Sequence, residues 1–319
     1  MQFTLTAVNM LLMMAYAIPG FIFIKVKAFG QESISAFAKL LLYVCQPFLS
    51  IYSFNKADYT PELFRSMLIF FGLSMLLQLT MMGFAYMVYK RKYKKDAAYR
   101  VCTVATTLGN VGFIGVPLIE ALLPDQPNAV AFSAVFIISM NLVSWTVAST
   151  ILTGDRKYMS IKQLLLNPVM IALLVSMPLF LTGTKLPGLL DNSVALLGRM
   201  TTPISMMILG MRLALAKFRQ LFQNYKVYTV ALLKLIAFPL LGLAFIWFLP
   251  VEQYIKATLI ILCCCPTASV VLNLSEIYDT GQKTAANIVL TSNIFCLITI
   301  PLLLMFISSG QETIWKYIT

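Results

Sequence analysis

The sequence contains no histidine. That absence removes the commonest general base and the commonest metal ligand at once. Acid is scarce as well, with 12 Asp and Glu against 24 Lys and Arg. No Asp falls in the middle of an apolar run. A membrane enzyme needs a nucleophile–base pair or a metal site, and this chain offers neither pattern. The six cysteines, Cys45, Cys102, Cys263, Cys264, Cys265 and Cys296, lack zinc-site spacing and all lie in apolar runs. They read as reduced packing residues, so neither metal nor cofactor is expected. Charge of either sign is sparse: 11% of residues, where soluble domains average about 25%. No basic segment precedes the first apolar run, so that run reads as a first span and not as a secretory leader.

What fills the chain is apolar sequence, 60% of it. Ten apolar stretches are predicted, near 3–24, 34–54, 66–89, 98–123, 128–152, 164–183, 193–215, 227–249, 255–278 and 284–308. Each approaches the roughly 20 residues that a helix needs to cross a bilayer. The reading is an all-α polytopic membrane protein of ten transmembrane helices. The net charge of +12 follows from loop composition and implies no nucleic-acid partner. Lys25, Lys27, Lys90, Arg91, Lys92, Lys94, Lys95, Arg100, Arg156, Lys157, Lys162, Lys217, Arg219, Lys226 and Lys283 fall at odd-numbered loops. Lys56, Arg65, Lys185, Lys256 and Lys316 fall on the other side. The odd loops are therefore predicted to be cytoplasmic, with both termini outside. In a bacterial inner membrane, outside is the periplasm.

Two stretches are poor continuous helices. Residues 97–123 carry Gly109, Gly112, Gly115 and Pro117 close together, and residues 255–278 carry Pro266. Glycine and proline are the costliest residues in a helix interior. A break in lipid strands backbone polar groups, so it persists only where protein or a watery cavity covers it. Paired interruptions in corresponding positions of two halves point to a transporter's binding site. Pro47 in span two has a counterpart in Pro203 of span seven. The expectation is two inverted repeats of five helices, residues 1–155 and 160–319, with broken helices 4 and 9 crossing.

Second half-helices are predicted to begin near Val111 and Thr267, at mid-membrane. Two helix N-termini meeting there form an anion site without a buried cation. The residues expected to bind substrate are Gly109, Asn110, Val111, Gly112, Pro266, Thr267, Ala268 and Ser269, with Ser50 and Asn141 as further polar groups at depth. Asn110 equally suits a second role, satisfying or capping broken backbone. Gly112 and Gly115 equally suit close helix packing. Asn287 and Asn293 read first as interhelical hydrogen-bonding groups. Lys234 is the deepest charge, while Lys39, Glu120, Arg199, Arg212 and Glu276 lie nearer the helix ends.

The segment LGNVGFIGVPLIEAL resembles the glycine–asparagine–proline motif of the auxin efflux carrier family. PFLS at 47–50, CCPTAS around Pro266 and PISMMILGMRLA at 203–214 are similar to that family too. The resemblance covers the whole chain. It implies two inverted five-helix repeats, with a scaffold part from helices 1, 2, 6 and 7 and a transport part from helices 3–5 and 8–10. That architecture is similar to bile-acid symporters and sodium/proton antiporters. It also implies that Asn110 meets a substrate carboxylate and that Ser50 lies near the site. Gly109 stands where PIN-type carriers have proline. The long loop between spans five and six of many PIN carriers is absent.

The function expected is secondary transport of a small organic anion, auxin-like or dicarboxylate, with a proton, sodium or no coupling ion. The alternative is a sensor or channel on the same fold. A homodimer is implied only by analogy with PIN-type relatives. No Walker motif is present, which argues against ATP as the direct driver.

Overall fold

The computed structural model describes residues 2–93, 96–159, 165–247 and 251–310. Lys94, Lys95, Lys162 and Lys316, used above for orientation, lie outside the described residues. Among the described residues the chain is helical and holds no strand. The main helices in chain order are α1 (Thr4–Lys25), α2 (Ser33–Lys56), α3 (Pro61–Tyr93), α4 (Ala97–Ala105), α5 (Val111–Leu122), α6 (Pro127–Thr153), α7 (Pro168–Leu181), α8 (Gly188–Leu215), α9 (Tyr225–Trp247), α10 (Gln253–Cys264), α11 (Val270–Ile277) and α12 (Gln282–Gly310). Seven of them, α1, α2, α3, α6, α8, α9 and α12, are long and apolar enough to cross a membrane. The predicted stretches 98–123, 164–183 and 255–278 hold shorter helices instead.

Helix starts follow local chemistry. Asp96 caps α4 by accepting from the Ala98 N–H at 2.8 Å. Asn167 caps α7 through Val169 (2.9 Å), and Asn224 caps α9 through Lys226 (3.1 Å). Each carboxylate or amide oxygen satisfies a donor that has no intrahelical partner.

Four helices contain a widened π turn: Leu41–Cys45, Val111–Gly115, Ser144–Ala148 and Leu233–Ala237. Three have a proline two residues beyond the turn, at Pro47, Pro117 and Pro239. Proline offers no N–H and crowds the carbonyl four residues back, and widening the preceding turn relieves both problems. The fourth has no such proline. There Ser144, Thr146, Ser149 and Thr150 turn their hydroxyls back onto carbonyls of their own helix, a pattern that bends helices.

Small residues set the closest approaches. A Cβ on Gly210 would lie 1.9 Å from the Ala17 carbonyl oxygen, and one on Gly20 would lie 2.0 Å from that of Met207. α1 and α8 thus touch backbone to backbone. Helix α2 packs on α7 and α8, while α3 packs on α4 and α6. All six cysteines are unpaired and buried.

Candidate functional site

The two interruptions meet. The Asn110 N–H donates to the Pro266 carbonyl at 2.7 Å, and the Ala268 N–H donates to the Leu108 carbonyl at 2.9 Å. Gly109 and Thr267 form an isolated antiparallel bridge pair. Backbone freed by one break is therefore satisfied by the other. Helix α12 completes the joint: Asn110 Nδ2 donates to Asn293 Oδ1 (3.3 Å), and Asn293 Nδ2 donates to the Thr267 carbonyl (3.4 Å). The Thr267 hydroxyl reaches back to the Ala105 carbonyl at the end of α4 (3.0 Å). Asn293 thus joins helices as its reading anticipates.

Helix α5 starts at Val111, as predicted. Helix α11 starts at Val270, three residues after the predicted Thr267, because the backbone of residues 267 and 268 is committed to the joint. Asn110 does not cap α5 with its side chain; that side chain goes to Asn293. The N–H groups of Gly112 and Phe113, and of Ser269 and Val270, have no acceptor among the described residues. Each pair lies in the first turn of a half-helix, where N–H groups lack intrahelical partners and the helix dipole is positive.

These residues line one cavity of about 380 Å³. Of the predicted site residues, Gly109, Asn110, Val111, Gly112, Asn141, Ala268 and Ser269 line it. Pro266, Thr267 and Ser50 do not. Pro266 and Thr267 are spent on the joint. The Ser50 hydroxyl bonds the Gln46 carbonyl of its own helix at 3.2 Å, and Gln46, one turn earlier, lines the cavity instead. Asn141 Nδ2 donates to the Ile137 carbonyl (3.0 Å).

Sequence reasoning missed several lining groups. Gln46, Asn167, Asn273 and Arg212 all face this space, along with Trp145 and Ser205. Arg212 lies near a helix end, a position that gives no sign of its facing a cavity. No local signal marks them: Gln46, Asn167, Asn273, Arg212 and Ser205 lie outside the π turns, and Trp145 lies in the turn without a following proline.

Behind the joint sits Lys234, fully buried as its position suggests. Its Nζ donates to the Thr107 carbonyl (3.3 Å) and stands 4.1 Å from the Phe238 ring centroid. A Cβ at Gly109 would be 3.1 Å from that Nζ. The tight fit gives a physical reason for glycine at a position where proline would be crowded.

A polar cluster ties other helices together. Tyr52 Oη donates to Glu120 Oε1 (2.6 Å), Arg199 Nη2 donates to Tyr52 Oη (2.8 Å), and Lys56 Nζ pairs with Glu120 (3.3 Å). It joins α2 and α5 near their C-terminal ends to the middle of α8. On the basic side, Lys226 Nζ meets Asp96 Oδ2 at 2.6 Å. That hydrogen bond holds the Asp96 carboxyl below the usual carboxylate range.

No curated protein matches the chain by sequence. The family model described as "Membrane transport protein" matches residues 4–163 and 156–304. With that match over nearly all of a chain of apolar helices, this is an integral multi-pass membrane protein, and it belongs to the membrane transport protein family, that of the auxin efflux carriers.

Proposed function

We propose that the chain is a secondary carrier of a small organic anion, working by alternating access. One observation carries the reading: two half-helix N-termini with unsatisfied N–H groups converge on one cavity. Such ends bind carboxylates through donors and dipole together. Asn110 stands between them and supplies an amide.

In this reading the twelve helices amount to ten spans, with α4–α5 and α10–α11 each serving as one broken, crossing span. The halves 1–155 and 160–319 are inverted repeats. Helices α1, α2, α7 and α8 form the scaffold, which the close packing of α1 on α8 and of α2 on α7 supports. The remaining helices move as the transport part. The cavity opens toward the basic, cytoplasmic side: Asn167 follows the loop with Lys157, and Arg212 precedes Lys217. The Tyr52–Glu120–Arg199 cluster closes the outer side. A path closed at one end favours a carrier over a channel, and the outward state requires this cluster to part.

The test is a thermal-shift screen of the purified protein against small carboxylates, with and without sodium and at two pH values. A bound anion raises the midpoint by mass action. Asn110→Ala should lose the carboxylate shift, with a ligand-free midpoint lowered modestly by the lost bond to Asn293. A variant that binds as the wild type does would overturn the site. Dependence of the shift on sodium assigns sodium as the coupling ion, and dependence on pH assigns the proton.

A further inference from the structure

Arg212 is the one charged residue lining the cavity among the described residues. It sits near the C-terminal end of α8, one helix away from the joint. Its Nη1 atom is buried and has no hydrogen-bond partner. No described ion pair involves it. Glu276, on α11, is exposed and makes no ion pair with it. A half-buried guanidinium with an unpaired buried nitrogen is costly, and such groups in membrane proteins mark pathways and ligands. The Glu276 carboxylate acts on it only at longer range, and among the described residues no carboxylate closes an ion pair with the guanidinium.

The rest of the lining gives that charge a context. Among the described residues no Asp or Glu faces the cavity, but carboxamides do: Gln46, Asn110, Asn141, Asn167 and Asn273. Along α8 the lining runs from Ser205 to Arg212, about 10 Å at the helical rise per residue. The cavity thus has two separate anion-seeking features. One is the pair of half-helix ends at the joint. The other is Arg212, toward the mouth.

We infer that Arg212 is a specificity-determining residue that binds a second acidic group, so that the cavity selects dianionic solutes over monoanions of similar size. The inference rests on the anion-carrier reading above. Guanidinium is suited to the role because its planar fork meets a carboxylate with two parallel hydrogen bonds. One carboxylate then lies on the N–H groups at the joint and the other on Arg212, with the carboxamides facing the linker between them. A monoanion would leave the buried Nη1 of Arg212 unpaired, and discrimination of this kind is strong when a polar group of the site is left without its partner.

The experiment uses the purified full chain and two pairs of probes, succinate with butyrate and glutarate with valerate. Binding is measured by thermal shift and by calorimetry for the wild type, Arg212→Gln, Arg212→Lys and Asn110→Ala. The wild type should bind the dicarboxylates more tightly than the matching monocarboxylates. Arg212→Gln should weaken dicarboxylate binding by about 10- to 100-fold, the loss of one charge-assisted pair, and leave monocarboxylate binding within about twofold. Arg212→Lys should restore part of the preference, since an ammonium keeps the charge but not the fork. The ligand-free midpoint should stay in place, because Nη1 has no protein partner to lose; a large fall there would make Arg212 structural and overturn the inference. Equal affinity for both members of a pair, or an unaltered preference in Arg212→Gln, also overturns it. If those results come with binding that is lost in Asn110→Ala, the anion site stands and only the role of Arg212 falls. If the wild type binds none of the four probes, both readings fall.

Discussion

Lys234 carries its amino group into a buried site that offers, among the described residues, one long hydrogen bond, an aromatic face and no ion pair. Desolvation of an ammonium costs several kcal/mol, and replacing buried ions with apolar groups of similar volume is often neutral or stabilising. Lys234→Met is therefore expected to leave the thermal midpoint unchanged or to raise it while lowering transport, as assayed in proteoliposomes. A clear fall in the midpoint would make the lysine a structural cap on the Thr107 carbonyl. Gly109→Ala is expected to lower the midpoint in the wild type, because its Cβ presses on Nζ, and to lose that penalty in the Lys234→Met background. Such coupling between two sites is what a double-mutant cycle measures. Residue depth was legible in the sequence for Lys234, which lies well inside an apolar run. It was not legible for Arg212. Linear distance from a helix end says nothing of which neighbours cover a side chain.

Among the elements, both breaks could be read from glycine and proline alone, because the local cost of those residues does not depend on tertiary context. The later start of α11 could not, since backbone bonds to the other break set it. Two predictions test the helix packing. Gly20→Ala and Gly210→Ala place a methyl group within 2.0 Å of a facing carbonyl oxygen, and each should destabilise by about 1–3 kcal/mol or more, as overpacking does. Gly72→Ala and Gly83→Ala, in α3, meet nothing within 4 Å. Both should be neutral or stabilising by up to about 1 kcal/mol, the helix-propensity difference. Chemical unfolding in detergent distinguishes the two pairs, and a similar loss in all four would refute the close contact of α1 and α8. At the π turns, Pro117→Ala returns an N–H to α5 and removes the ring that widens its first turn. The expected result is a helix of ordinary stability with weakened anion binding, because Gly112 and Phe113 shift with the turn.

For the whole molecule, the proposed cycle makes the cluster at Glu120 the place where moving and fixed parts are tied on the outer side. Glu120→Gln weakens the pairing with Lys56 and Arg199, and Tyr52→Phe removes the hydroxyl that links them. Each should favour the outward state. The check is a cysteine at Thr202, which lines a space beside Glu120 and is 8% exposed. Its alkylation by an impermeant reagent from outside should rise in both variants, and no change would remove the cluster from the gating scheme. The background is low, since every native cysteine is buried. On the opposite side, the Asp96–Lys226 pair contributes while Asp96 is ionised. Its depressed carboxyl keeps that contribution above the ordinary carboxylate range, and it is lost only as pH falls through the lowered value. With Asp96 substantially exposed the contribution is about 1 kcal/mol at most, so stability should be flat from neutral pH down to about 5 in this respect.

The reciprocal hydrogen bonds between residues 108–110 and 266–268 have a thermodynamic consequence. They rivet the two broken helices into one piece, so in the proposed cycle the N–H groups at the joint keep their arrangement when that piece moves. A solute then meets the same donors on either face of the bilayer, and its intrinsic affinity for the joint is equal on both. Without a coupling ion, net flux is then set by the concentration ratio and by voltage, at about 2.3 kcal/mol per charge for each 100 mV. With the cell interior negative, that voltage drives an anion outward, and a dianion feels twice the push.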